Sequence, residues 1–411
     1  MKRGWTREMD DVFNRQEENR IQAASAGGKS APVLREEREK ALDSIRGSLI
    51  GGAVGDALGY PVEFMSWNQI IVKYGLKGIL KYAPDRRTGS AIITDDTQMT
   101  LFTANGILIG ETEKRLKGVH KPITEYVHQA YREWMLTQEP GADVIRMDHR
   151  CWLFEIPALH VPRAPGLTCL AAIRSGKMGT TVKPINNSKG CGGVMRVAPV
   201  ALYYRPETDE DRRSLDELGA EIAAITHGHP LGWLPAAVMT HMIGVGVYGD
   251  GAKTIRAAAD EAWQTVRTIY RGRVSDENLD AMEKLIVWAE KLSAVEGKDV
   301  DHIRSIGEGW TGDEALAIAL YCCLRYPDDF SKAMIAAVNH DGDSDSTGAV
   351  AGNILGAFIG EGAIEEKWKT DLEMLPVITQ MADDLCHGCA AAGDGDCPDE
   401  NWLRKYRDGH A

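Results

Sequence analysis

Two acidic, hydroxyl-bearing clusters stand far apart in the chain: Thr94-Asp95-Asp96-Thr97 and Asp341-Gly342-Asp343-Ser344-Asp345-Ser346-Thr347. Each gathers hard oxygen donors with little nitrogen or sulfur beside them, which suits Mg²⁺, Mn²⁺ or Ca²⁺ rather than zinc. Brought together by a fold, they would supply enough carboxylates for two adjacent cations. Each also leads into an apolar, helix-like run, where Asp, Ser and Thr serve as N-caps. Capping and metal binding are compatible, and both are expected. An EF-hand is excluded. The twelve-residue frame begun at Asp341 ends on Gly352, the frame begun at Asp343 ends on Ile354, and neither position supplies the bidentate Glu.

Other residues could recognise a ligand. Lys189-Gly190-Cys191-Gly192-Gly193 forms a loop whose backbone N–H groups can approach a diphosphate, because glycine removes the steric bar. Arg196 reads equally as a charge partner or a structural pairing residue. His227 follows a predicted helix and reads first as a cap or core residue; His229 has no assigned role. Trp310 could stack on a base, although core packing is the commoner use of Trp. Cys386-His387-Gly388-Cys389, with Cys397 downstream, lacks a second paired set and reads as free thiols rather than a zinc site.

The elements that must position these residues are helices. Apolar periodicity predicts them over 37–58, 97–110, 121–137, 212–226, 232–247, 251–269, 276–293, 313–325, 330–339, 346–360 and 371–386, with alternating β-branched runs nearly absent. The expectation is an all-α protein. Gly47, Gly51, Gly55 and Gly59 recur every four residues, and so do Gly348, Gly352, Gly356 and Gly360. Each costs roughly 1 kcal/mol of helix propensity against Ala, but together they leave one helix face bare for a close neighbour. The two glycine-bearing helices are therefore expected at the centre, against each other, with Asp56 and the second acidic cluster near the middle. Pro- and Gly-rich sequence between about 140 and 200 indicates ordered loops over a site.

Ahead of residue 36, Trp5, Met9, Val12 and Phe13 fall at helical spacing, and residues 23–32 read as a linker. Gly28-Lys29-Ser30 is not a P-loop, since Ala23 stands where its first glycine belongs. Residues 1–35 are thus an N-terminal extension, and 36–411 the main domain. With 47 basic and 60 acidic residues, the net charge of −13 argues against nonspecific binding to nucleic acid or an anionic membrane. The runs Leu49–Leu58 and Ala349–Ile359 are too short to span a bilayer, and eight cysteines without framework spacing indicate a reduced cytoplasm.

Five segments in order resemble the ADP-ribosylglycohydrolase family, particularly bacterial members related to the dinitrogenase-reductase-activating enzyme. They are Gly51-Gly52-Ala53-Val54-Gly55-Asp56-Ala57-Leu58-Gly59 with Pro61-Val62-Glu63-Phe64; Thr94-Asp95-Asp96-Thr97-Gln98-Met99; Lys189 through Pro199; Gly309-Trp310 with Glu314-Ala315-Leu316; and Gly342 through Thr347. The resemblance covers roughly residues 40 to 390 and implies a single-domain helical bundle with two divalent cations, Mg²⁺ or Mn²⁺, in a cleft. It implies metal ligands Thr94, Asp95, Asp96, Asp343, Asp345 and Ser346. Asp341 stands where the family often has a glycine and reads as a cap, as an inert residue or, preferably, as a group behind the ligands. Substrate contacts are expected from Lys189, Gly190, Cys191, Gly192, Gly193, Met195 and His227. Hydrolysis at the anomeric carbon of ribose needs an oriented water and a fixed sugar, which two cations can provide. It also needs acid/base groups, for which Asp96 and Glu63 are the candidates. The implied activity removes ADP-ribose from a protein side chain, with arginine favoured over serine-linked or small conjugates. A second reading has the extension bind an ADP-ribosyltransferase toxin as an immunity protein.

Overall fold

The computed structural model describes residues 31–118, 121–139, 149–249, 251, 253–388 and 399–410. The apolar stripe of the extension, most of the linker, and Cys389 and Cys397 lie outside these residues. Helix α1 runs from Ala31 to Gly59 and so begins inside the stretch expected to be linker. Proline at residue 32 is no obstacle, because the first helical turn has no intrahelical use for its N–H.

The glycine stripes decide the centre. Helix α1 lies antiparallel to the helix Ser344–Ile359, with Gly47 facing Gly356, Gly51 facing Gly352, Gly55 facing Gly348 and Gly59 facing Ser344. A Cβ on those four α1 glycines would stand 2.4, 2.4, 1.9 and 2.4 Å from the facing carbonyl oxygens. No side chain fits there, so the backbones touch. This register sets the end of α1 beside the start of the Ser344 helix, and the acidic cluster at its N-terminus inherits that position.

Three more helices frame the site: α2 (Asp95–Lys117), α3 (Ile123–Thr137) and α4 (Pro230–Tyr248); the Ser344–Ile359 helix is α5. Thr94 caps α2 by accepting from the Asp96 N–H, and Gly118 ends it with φ 62° behind Lys114, Arg115 and Lys117. Acid at the start and base at the end both match the helix dipole. α3 packs along α2, while α4 packs on α5 and α1. α4 is apolar almost all round and long enough to cross a membrane, yet 89% of that stretch is buried inside the protein. Among the described residues it, rather than either of the two runs singled out from sequence, is the one helix of that length and apolarity. A helix enclosed on every side has no polar face to show.

All eleven expected helices are present, with ends shifted by a few residues. Among the described residues, six further α-helices of four to eight residues, such as Trp67–Tyr74 and Leu167–Arg174, were not expected. Two turns or fewer give too few apolar positions to reveal a period. Among the described residues, extended pairing is limited to isolated bridges, one of which joins Gly190 to Thr311.

Candidate functional site

The two acidic clusters meet at the N-termini of α2 and α5. Asp95 and Asp96 lie in the first turn of α2, and Asp343 caps α5 by accepting from the Ser346 N–H at 3.3 Å. Asp345 Oδ1 accepts from the same N–H at 3.0 Å. Thr94, Asp95, Asp96, Asp343, Asp345 and Ser346 are all buried. Caps and putting carboxylates together are thus one arrangement, as the compatible reading required.

Glu63 completes the group. The α1–α5 register places the turn after Gly59 beside Asp345, and carboxylate oxygens of Glu63, Asp343 and Asp345 lie within 4.8 Å of one another. Burial, then the charge of Asp343, pushes the Glu63 carboxyl up to about 8. Burial, opposed by the Gly166 N–H, pushes Asp95 up to about 8. Asp96 and Asp345 lie well above the ordinary range, again through burial first and then through the charges of Asp95 and Asp343 respectively. Such carboxyls repel one another in a medium that solvates them poorly. Asp96 Oδ1 is buried and has no hydrogen-bond partner among the described residues. An all-oxygen set of this kind, with an unmet acceptor among its members, fits a hard divalent cation.

Supporting residues hold the cluster in place. Asp56, inside the glycine stripe of α1, accepts from the backbone N–H groups of Thr94 (2.9 Å) and Thr97 (3.1 Å) and from the Thr97 hydroxyl. Its own carboxyl is pushed up to about 6 by burial, which these donors oppose. The Asp95 N–H donates to Arg163 O at 3.0 Å, and Gly166 N–H donates to Asp95 Oδ2 at 3.0 Å. Arg163 is itself paired with Glu373 at 3.1 Å. The sequence had placed Asp56 centrally without a role, and nothing in it marked Arg163 or Gly166.

Asp341 does not stand behind the ligands. Its carboxylate accepts from the Trp67 N–H at 2.8 Å and pairs with Arg304 at 2.8 Å, so it caps a neighbouring short helix. Gly342, with φ 116°, turns the chain between the two aspartates and lies against Glu308 O. Asp341 and Asp343 therefore serve different partners.

The glycine loop reaches the cluster through an unexpected contact. Cys191 Sγ donates to Asp343 Oδ2 at 2.8 Å. Lys189 O accepts from Gly312 N–H at 2.8 Å and Cys191 N–H donates to Trp310 O at 3.2 Å, which fixes the loop to the 308–312 segment. The glycines answer first to packing behind the loop. A Cβ on Gly193 would stand 2.6 Å from Gly232 O, and one on Gly192 would stand 3.0 Å from both Cys169 Sγ and His227 Cε1. Lys189 is exposed at the rim, whereas Met195 is buried, its Sδ 3.9 Å from Ser346 Oγ.

His227 lies beneath Gly190 and Gly192. Burial, then Arg196, pushes its pKa down to about 3, so the ring is neutral at physiological pH. Thr226 Oγ1 accepts from Arg196 at 2.6 Å and lies 2.8 Å from His227 Nδ1. Arg196 proves structural: buried, with its guanidinium 4.3 Å over the Tyr131 ring. Trp310 is half-buried and stacks on Phe64, ring centres 5.2 Å apart at 22°. Phe64 is 70% exposed and has φ 61°, a left-handed backbone that few aromatic residues adopt. The pair spans from the Glu63 turn to the loop that carries Gly309.

Residues 37–395 match the profile of the ADP-ribosylglycohydrolase family. The chain is 27% identical over 338 residues to ADP-ribosyl-[dinitrogen reductase] glycohydrolase of Rhodospirillum rubrum, covering 81% of this chain and 91% of that protein. It is 23% identical over 356 residues to ADP-ribosylhydrolase ARH3 of Homo sapiens, covering 81% and 90%. Among solved structures, a chain of an ADP-ribosylglycohydrolase-related protein complex superposes with a TM-score of 0.55 at 20% identity, covering 85% of this chain and 99% of that one. That likeness shows the shared fold.

Proposed function

The chain belongs to the ADP-ribosylglycohydrolase family, a hydrolase family acting on ADP-ribosylated targets, and from that premise we propose that it removes ADP-ribose from arginine side chains of a modified protein with the help of two divalent cations, Mg²⁺ or Mn²⁺. The observation that carries this reading is the meeting of the two helix N-termini, which gathers Asp343 and Asp345 with Glu63 and brings Asp95 and Asp96 within reach of the charge of Asp343. Those four aspartates, with Thr94 and Ser346, would hold the cations. Bound there, the cations supply positive charge for ribose hydroxyls and for a hydrolytic water.

The chain's own groups do the rest. Glu63, whose proton affinity is raised toward neutrality, suits proton exchange at the scissile bond. Asp96 offers an unpartnered Oδ1 as a ligand or base. The backbone of Gly190 and Gly192, with the neutral His227 ring beneath, offers an uncharged cradle to a diphosphate. Arginine as the linkage follows the resemblance to bacterial enzymes of this kind, and the higher identity to the relative named for dinitrogen reductase supports a protein target. The toxin-binding reading rests on residues outside the described ones and has no further support.

The test is direct. Arginine-linked, serine-linked and free ADP-ribose conjugates are incubated with the protein, with and without Mg²⁺, and released ADP-ribose is measured. Release from the arginine conjugate alone, and only with cation, is expected. Release only from serine or free conjugates would move the assignment within the family; none from any would remove it.

A further inference from the structure

Metal-binding side chains converge a second time, in a place that shares no residue with the acidic cleft. His149, Glu155 and His410 each offer a ligand atom, and all three atoms lie within 4.8 Å of one another. Both imidazoles address one carboxylate oxygen: His410 Nδ1 is 2.8 Å and His149 Nε2 is 3.7 Å from Glu155 Oε1. We propose that this triad is a binding site for a divalent transition-metal ion, zinc by its ligand set, which fastens the segment after the Glu400–Tyr406 helix to the turn at 149–155.

The arrangement is built from both sides. The His149 ring rests on Phe154, centres 5.0 Å apart, and Phe154 is buried in the 3₁₀ turn Trp152–Glu155. Glu155 is the last residue of that turn. From the other side, Gly409 has φ 78°, and a Cβ there would stand 2.9 Å from His149 O and 3.0 Å from Arg150 Cα. Only glycine allows the chain to lie against the 149–150 backbone and deliver the next residue, His410. The His410 N–H donates to Arg404 O at 2.8 Å, which fixes its backbone.

Four-coordinate zinc with nitrogen and oxygen ligands at about 2.0–2.2 Å separates neighbouring ligand atoms by about 3.3–3.6 Å. The two distances to Glu155 Oε1 bracket that value. Two imidazoles and one carboxylate select zinc or a similar late first-row ion over Mg²⁺ and Ca²⁺, which take oxygen. The acidic cleft has the opposite preference. With side chains 18%, 33% and 55% exposed, the site is open to solvent on one side and a water can fill the fourth position. A bare surface ion pair between His410 and Glu155 is the plain alternative. A metal here would also brace the stretch leading to Arg163 and Gly166, whose backbone holds Asp95.

The test uses full-length, tag-free protein titrated calorimetrically with Zn²⁺ in excess Mg²⁺, which keeps the acidic cleft filled. Wild type and Asp96→Asn are expected to bind one zinc per chain, while His149→Ala and His410→Ala bind it at least about tenfold more weakly. Glu155→Gln, which preserves shape, is expected to weaken it too. X-ray absorption at the zinc edge should show nitrogen ligation. No zinc uptake in excess Mg²⁺ would overturn the site, as would uptake that Asp96→Asn abolishes and the histidine variants leave intact.

Discussion

Gly55 and Gly348 lie backbone against backbone: a Cβ on Gly55 would stand 1.9 Å from Gly348 O, and one on Gly348 would stand 2.5 Å from Gly55 O. Neither obstacle is a side chain that could rotate away. The contact sits one turn from the helix ends that position the acidic cluster, so its cost would be felt both in stability and in the site.

Gly55→Ala should therefore destabilise the protein by more than about 3 kcal/mol despite the gain in helix propensity, because two helix backbones must move apart. Gly244→Ala in α4 is the control. There the nearest atom to a new Cβ is Leu215 Cδ2 at 3.8 Å, an ordinary contact. It should be neutral or stabilising by up to about 1 kcal/mol. Equal melting temperatures for the two variants would contradict the close-packed centre.

Asp96→Asn and Asp345→Asn should each lower turnover at least about 100-fold, since each removes negative charge from the set proposed to hold cations, while helical circular dichroism is kept. EDTA should do the same to wild type, and Mg²⁺ or Mn²⁺ should restore it. Turnover in either variant within a few-fold of wild type would sink the cation-based reading.

The raised carboxyls give a sign to the pH dependence of stability. In protein stripped of cation, Glu63 and Asp95 hold their protons up to about 8. The unfolded chain releases them near 4, so between those limits the folded state binds more protons. Their contribution is full below pH 4 and is lost as pH rises toward 8. The melting temperature of EDTA-treated protein should fall from pH 5 to 8, less steeply in Asp95→Asn, and the rise produced by Mg²⁺ should grow over the same range. An identical slope in Asp95→Asn would show that this carboxyl does not contribute.

Trp310→Ala should reduce kcat/KM about 2- to 10-fold by freeing the Glu63 turn, the amount that an aromatic pair of about 0.5–1.5 kcal/mol would supply. Trp310→Phe, which keeps a stacking partner for Phe64, should recover most of it. Steady-state kinetics with an ADP-ribosylated peptide would read both. No loss in the alanine variant would show that the stack at 5.2 Å leaves Glu63 unaffected.

Much of this molecule is legible along the chain because its signals are local or periodic. Helical repeats mark eleven helices, and two stripes of glycine at intervals of four mark two bare faces that another helix can approach closely. Clusters such as Thr94–Thr97 and Asp343–Ser346 announce caps and hard ligands by residue type alone. What tertiary structure decides is who meets whom. The antiparallel register of Gly47–Gly59 with Ser344–Gly356 brings Glu63 to Asp345, and helical periodicity carries no information about register between helices. Asp56 serving Thr94, Cys191 reaching Asp343, and Arg163 and Gly166 bracketing Asp95 are likewise contacts across tens to hundreds of residues. Asp341 shows the limit most clearly. Two residues from Asp343 and alike in chemistry, it faces Arg304 and Trp67 because Gly342 turns the backbone between them, a change of direction that residue type permits but does not aim.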